Sequence, residues 1–223
     1  MQIESIHIES VLSQPFAENT FIIWRDGQSD CIVVDPGLEP DKILRFLDQN
    51  SLTPSAILNT HGHSDHIAGN GVMKEKWPDC PLLIGSGDED KLSDPDKNLS
   101  APFGLPLTSP PADRTVDQGD VLQLAGISLE VFDTPGHSIG HVVFVCRDLT
   151  PLVVVGGDVL FKGSIGRTDF PDGSFQQLRD SIHNVLFRLP ADTMVLPGHG
   201  PSTTVGQEIE TNPFVGKPAG FAL

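Results

Sequence analysis

Four side chains that can bind a metal ion fall within six residues, in His61-Gly62-His63-Ser64-Asp65-His66. Three imidazoles and a carboxylate crowded into one loop are costly unless something uses their lone pairs. Alternate residues of an extended segment point the same way, so His61 and His63 can converge on one ion. Asp65 and His66 lie where the chain turns toward a helix and can face a second. Imidazole and carboxylate ligands suit zinc, iron or manganese, and a cluster without cysteine argues against a closed structural zinc site. A single histidine here would be an ordinary polar turn; four donors at this spacing form a metal motif.

Three further donors stand at the ends of predicted strands. Asp133-Thr134-Pro135-Gly136-His137 follows the strand-like run Ile127–Phe132. Gly156-Gly157-Asp158 follows Leu152–Val155, and Leu196-Pro197-Gly198-His199-Gly200 ends Thr193–Leu196. Taken singly, His137 or His199 in a glycine turn would be structural and Asp158 a cap. Together they supply what a two-metal site still lacks, and strand ends can gather them along one rim.

The elements that must do this positioning are short. Strand patterns cover Ser5–Val11, Asn19–Trp24, Cys31–Asp35, Ala56–Asn59, Leu82–Gly85, Val121–Leu124 and His141–Cys146, besides the three above. Several are continuous apolar runs, as in strands buried beneath helices. Helical spacing appears over Asp41–Asn50, Ile67–Trp77 and Phe175–Leu189, the last with Ser174 as its cap. The proline-rich Ser93–Pro111 reads as a long loop beside the site, and the tail from Gly206 as irregular. The pattern predicts an α/β chain with two packed sheets flanked by helices, in a single domain over residues 1–223.

Composition removes other classes of function. Of 223 residues 38% are hydrophobic, enough for a core, while 14 Lys+Arg against 30 Asp+Glu give a formal charge of -16. So acidic a surface repels nucleic acid and anionic membranes. The acidic, alternating start Met1–Glu9 is not a secretory signal, and no apolar run approaches the roughly 20 residues of a membrane span. Cys31, Cys80 and Cys146 are odd in number and scattered, as expected of buried thiols in a reducing cytoplasm.

The order H-x-H-x-D-H, then His137, Asp158 and His199, resembles the metallo-β-lactamase superfamily, over nearly the whole chain from Val34-Asp35-Pro36-Gly37 to Pro197-Gly198-His199-Gly200. Within it the chain is most similar to the glyoxalase II-like hydrolases, especially the short, YcbL-type members. Gly157-Asp158-Val159-Leu160-Phe161, Gly166-Arg167-Thr168-Asp169 and Asn212-Pro213-Phe214 carry that narrower likeness. The resemblance implies an αβ/βα sandwich of two mixed sheets flanked by helices. It implies two divalent ions, zinc first, with iron or manganese as alternatives. His61, His63 and His137 would bind one ion; Asp65, His66 and His199 the other; and Asp158 would bridge them. It also implies hydrolysis of a small acyl thioester, S-lactoylglutathione to lactate and glutathione, by a hydroxide shared between the ions. Asp65 would orient that hydroxide or accept its proton. His141, four residues after His137, reads as a supporting or packing residue rather than a ligand.

Arg167, nine positions after Asp158, matches a glutathione carboxylate clamp, and Lys162 is a second nearby cation. The alternative is that Arg167 holds its own loop by pairing with Asp169 or Asp172. The full-length family adds a C-terminal helical domain for which this sequence leaves no room, and it uses tyrosines, of which there are none here. One rival is a persulfide dioxygenase with a single iron on His61, His137 and Asp158. A second is a hydrolase of another ester or thioester, and a third a domain that keeps its metals only as structure or as a binding module. The retained His199 favours the two-metal hydrolase.

Overall fold

The computed structural model of the chain describes residues 5–221, so Met1–Glu4, the first half of the acidic alternating start, lie outside the described residues. The first half of the chain forms β1 (Ile6–Ser13), β2 (Glu18–Arg25), β3 (Asp30–Val34), β4 (Thr53–Asn59), β5 (Leu82–Gly85) and β6 (Arg114–Val116). The second half adds β7 (Val121–Leu124), β8 (Ile127–Asp133), β9 (Val142–Cys146) and β10 (Val153–Gly157). A small hairpin, β11 (Leu160–Phe161) and β12 (Ser164–Ile165), precedes β13 (Met194–Pro197) and β14 (Thr203–Thr204). All ten predicted strands are present with ends displaced by at most three residues. Strands of two or three residues, such as β6 and β14, are too short to show periodicity.

Two six-stranded sheets result, ordered β1-β2-β3-β4-β5-β6 and β14-β13-β10-β9-β8-β7. Both are mixed: β3 to β6 run parallel after an antiparallel β1-β2-β3, and β10 pairs parallel with β13 but antiparallel with β9. Facing side chains from both sheets, among them Ile23, Ile32, Leu58, Leu129, Val131 and Phe144, make the central core. Burying their apolar area is the main stabilising term. On the outer face of the first sheet, α1 (Pro40–Asn50) packs Ile43 and Leu47 beside Ile22, Val33 and Ile57. On the second, α4 (Phe175–Asn184) packs Leu178 and Ile182 against Val143, Val145 and Val154. β9 is therefore covered on both faces, which explains its unbroken Val-Val-Phe-Val-Cys sequence.

Sheet direction gathers the strand ends. β8 and β10 are both antiparallel to β9, so they point the same way. β10 and β13 are parallel, as are β3 and β4. The turns after β3, β4, β8, β10 and β13 thus open on one rim of the sandwich.

Three predicted elements change. The helix expected over Ile67–Trp77 is broken into α2 (Ser64–Ile67) and α3 (Asn70–Lys76). At the break, the Gly69 N–H donates to the Pro36 carbonyl at 2.7 Å, and a Cβ on Gly69 would meet Pro36 at 2.9 Å. Docking on the Asp35-Pro36-Gly37 turn outweighs helix continuity. The tail is not irregular: α5 (Val205–Thr211) begins at Thr204, whose hydroxyl accepts the Gln207 N–H at 3.2 Å. Gly206 lies in the first turn of this capped helix, whose Val205 is buried, and Pro213, which suggested an irregular tail, stands just beyond its end. Helix α4 also stops early, its last expected turn tightening to a 3-10 turn at Leu186–Arg188. Cys31, Cys80 and Cys146 are free and buried, and burial pushes the Cys31 thiol up to about 12. Among the described residues no helix is long and apolar enough to cross a membrane.

Candidate metal centre

The rim brings all seven predicted ligands together. Donor atoms of His61, His63 and His137 lie within 4.8 Å of one another, as do those of Asp65, His66 and His199. Asp158 stands between the two groups. Its Oδ2 is 3.5 Å from His137 Nε2 and 3.6 Å from His199 Nε2, and its Oδ1 is 3.5 Å from His66 Nε2.

Each imidazole is aimed by the nitrogen that faces away. His66 Nδ1 donates to Asp35 Oδ2 at 3.1 Å, His137 Nδ1 to the Arg167 carbonyl at 2.8 Å, and His199 Nδ1 to the Phe16 carbonyl at 3.0 Å. The Thr60 hydroxyl donates to Asp35 and so accepts from His61 Nδ1 at 3.1 Å. In these four rings the N–H is committed outward and the Nε2 lone pair faces the centre. His63 Nδ1 closes on His137 Nε2 at 2.9 Å. His61 Nε2 and Asp158 Oδ1 are buried with no hydrogen-bond partner at all. Buried polar atoms without partners are costly, and a cation shared by these lone pairs removes the cost. The donor set therefore fits divalent metal.

The two groups differ in charge. Burial, reinforced by neighbouring imidazoles, pushes the pKa of His61 and His63 well below the ordinary histidine value. Burial also lowers that of His137, although Asp158 and the Arg167 carbonyl oppose it. At His66 and His199 burial acts the same way but is outweighed by Asp65 and Asp158, so both are raised. Burial opposes the charge of Asp65, yet His66 and His199 hold its carboxyl well below the usual carboxylate range. This half of the site attracts positive charge even without an ion.

Positioning residues that composition and motif did not single out lie behind the ligands. Asp35 accepts from the Thr60 N–H and hydroxyl, both at 2.7 Å, as well as from His66, so its lone pairs are spent on orientation. Asp88, fully buried, accepts from the Gly62 and Gly140 N–H groups at 2.8 Å and from the Ser138 hydroxyl. It joins the His61–His63 loop to the His137 loop. Buried Lys91 adds contacts to Ser138, Asp88 and Asp172. His141 accepts the Asp158 N–H at Nε2 and donates from Nδ1 to Thr134, so it stands behind the candidate ligands. Gly198 is required by close approach: a Cβ there would meet Asp158 Oδ1 at 2.3 Å and His66 at 2.6 Å.

Above the ligands opens a cavity of about 260 Å³ lined by His63, Asp65, His137, Asp158 and His199 below and by Phe16, Leu99, Phe103, Phe161, Arg167 and Phe170 above. Leu99 and Phe103 belong to the proline-rich loop, which lies beside the site as its sequence suggested. Arg167 lines the cavity, but its fork is engaged by both oxygens of Asp169 at 2.9 Å. Asp172, the other candidate partner, pairs with Lys91 instead. Lys162 is exposed and lies outside the cavity lining.

A family model described as the metallo-beta-lactamase superfamily matches residues 13–199. The probable metallo-hydrolase YqgX of Bacillus subtilis is 40% identical over 94% of this chain and 96% of its own length. Hydroxyacylglutathione hydrolase GloC of Haemophilus influenzae is 35% identical over 94% and 98%. Among solved structures, BLEG-1 B3 metallo-beta-lactamase superposes with a TM-score of 0.89 at 36% identity, covering 94% of this chain and 99% of that one. TTHA1623 in a di-iron-bound form gives 0.80 at 36%, over 92% and 99%. ETHE1 from Myxococcus xanthus gives 0.78 at 26%, over 95% and 85%.

Proposed function

This chain belongs to the metallo-beta-lactamase superfamily, and from that premise we propose that it is a two-metal hydrolase of acyl thioesters of the hydroxyacylglutathione kind. The observation that carries the reading is the convergence of imidazoles aimed by fixed outward N–H bonds on the buried, unpartnered Asp158 Oδ1. His61, His63 and His137 would hold one ion, Asp65, His66 and His199 the other, with Asp158 serving both. Such ions supply Lewis acidity, polarising a carbonyl and making water acidic near neutral pH.

The chain's own residues do the rest. Asp158 and Asp65 bring negative charge that holds cations in a buried site. Asp65, kept ionised, is a weak base, so its Oδ2 is suited to orient the attacking water rather than to carry its proton away. The water oxygen bonds to the carbonyl carbon, the C–S bond breaks with its electron pair leaving on sulfur, and one proton goes to the thiol. Phe16, Phe103 and Phe170 narrow the entrance and limit bulk water. Arg167, on the wall, would take a carboxylate of the thiol part in exchange for Asp169. The likeness to GloC supports the glutathione assignment, and the di-iron form of TTHA1623 makes iron an alternative to zinc.

The test pairs metal analysis with turnover on the purified protein. About two ions per chain with hydrolysis of S-lactoylglutathione is the expected result. Oxygen uptake with glutathione persulfide and a single iron would overturn it. Faster turnover of nitrocefin than of any thioester would move the substrate to β-lactams.

A further inference from the structure

We propose that the cavity wall above the ligands is an acyl-binding collar and that the substrate carries an apolar acyl group, a medium-length alkyl chain or a single aromatic ring. The inference rests on the two-metal thioester hydrolase reading and shifts its preferred acyl group from the hydroxyacyl kind to an apolar one. Five apolar side chains from four separate segments converge on the cavity: Phe16 in the β1–β2 turn, Leu99 and Phe103 in the proline-rich loop, Phe161 in β11, and Phe170 after Arg167. Single exposed apolar residues are ordinary on a protein surface. These are not single: the Phe16 and Phe103 rings meet edge to face at 5.9 Å while remaining 45% and 67% exposed.

The apolar wall reaches the ligands themselves. Phe170 packs against His63 at 5.1 Å and His137 at 5.7 Å, and Phe161 edges His199 at 6.3 Å. A carbonyl held over the imidazoles therefore projects its acyl chain among rings. Among the described lining residues Arg167 is the one lysine or arginine; it lies over Phe170 at 4.6 Å with Asp169 on its fork. The volume, about 260 Å³, is just under the roughly 300 Å³ at which drug-sized pockets begin, which suits an acyl fragment rather than a whole thioester.

The experiment uses metal-loaded protein and one thiol, comparing the acetyl, lactoyl, butanoyl, hexanoyl and phenylacetyl thioesters of glutathione. Each buried methylene is expected to raise kcat/KM about two- to fourfold. Phe103→Ala, and more so the Phe16→Ala/Phe103→Ala pair, is expected to cut the hexanoyl-to-acetyl ratio at least fivefold, a loss on the order expected for removing apolar contacts. Both side chains are exposed enough for the variants to fold. A flat series, or lactoyl preferred over butanoyl, overturns the acyl collar and leaves the hydrolase standing. No turnover of any thioester with two ions bound takes both down. A dimer that Phe103→Ala dissociates, with the acyl ratio unaltered, assigns these rings to a second copy of the chain and also overturns the proposal.

Discussion

The floor and the rim of this cavity are built on opposite terms. On the floor, His61 and His66 are fully buried and His63 and His137 nearly so, and most of the rings have a second bond fixing their orientation. Asp88 and Lys91 then tie the loops to one another. On the rim, Phe103, Arg167 and Asp169 are each about two-thirds exposed and belong to loops. Groups that must hold reacting atoms in place need packed rotamers and supporting bonds. Groups that choose among substrates gain from being where change is cheap. On the proposed function, the reaction class and the substrate would be encoded in separable parts.

The largest effect should come from the floor itself. Asp158→Ala is expected to reduce bound metal below two ions per chain and to lower kcat by about 10³-fold or more. Metal analysis beside the thioester assay checks this. Full activity with one ion would mean that the two ligand groups do not act together. Asp35→Asn removes an anion that both His66 and Thr60 address, and is expected to weaken metal binding by roughly 10- to 100-fold.

Next in size is a loss of stability. Lys91→Met leaves Asp88 and Asp172 without their buried cation and is expected to cost about 3–5 kcal/mol. For a chain of this length that lowers the melting temperature by roughly 10 °C. Melting curves of the metal-free and metal-loaded variant would show it. An unchanged melting point would remove Lys91 from the floor and place it with the rim.

Acid should also separate the two regions. His61, His63, His137 and His141 have folded pKa values below the unfolded value of 6.5, so below that pH the unfolded chain binds more protons than the folded one. Their contribution to stability is present above 6.5 and is lost as pH falls. His66 and His199 have the opposite sign, favouring the fold below 6.5 and losing that contribution as pH rises through their raised values. Burial likewise raises Glu18, which joins the second set; with His61, His63 and His141 pushed well below the ordinary histidine value, the metal-free protein is expected to melt earlier at pH 5.5 than at 7.5. A higher melting point at 5.5 would show that Asp65 and Asp158 dominate the whole cluster. Metal affinity is expected to fall over the same range, because the ligands must be unprotonated.

The floor was largely legible in the sequence because its candidate ligands sit in local motifs: a dense cluster, and glycine turns after apolar runs. The mixed sandwich followed from strand-length runs with helical segments between them. What escaped was pairing across distance. Asp35 reaches Thr60 over 25 residues, Asp88 reaches Gly62 over 26, and Lys91 reaches Asp172 over 81. No local pattern marks such pairs, since each depends on loops that meet only after the sheets pack. The break between α2 and α3 escaped for the same reason, being set by Pro36 rather than by Gly69 alone.

The smallest effect, and the one that decides what the rim contributes, concerns Arg167. Its side chain makes an exposed pair with Asp169, and exposed pairs contribute little to stability. Its backbone, by contrast, accepts the His137 N–H and survives any substitution of the side chain. Arg167→Ala should therefore leave metal content and melting temperature unchanged. If the fork trades Asp169 for a substrate carboxylate, the same variant raises KM for a glutathione thioester about three- to tenfold. The increase for a neutral thioester of the same acyl group should be far smaller. Asp169→Asn should act in the other direction, lowering KM for the anionic substrate by freeing the fork. Equal changes for both thioesters would mean that Arg167 only holds its loop. Recognition would then rest on the aromatic wall, and the rim would select by shape and apolar contact rather than by charge.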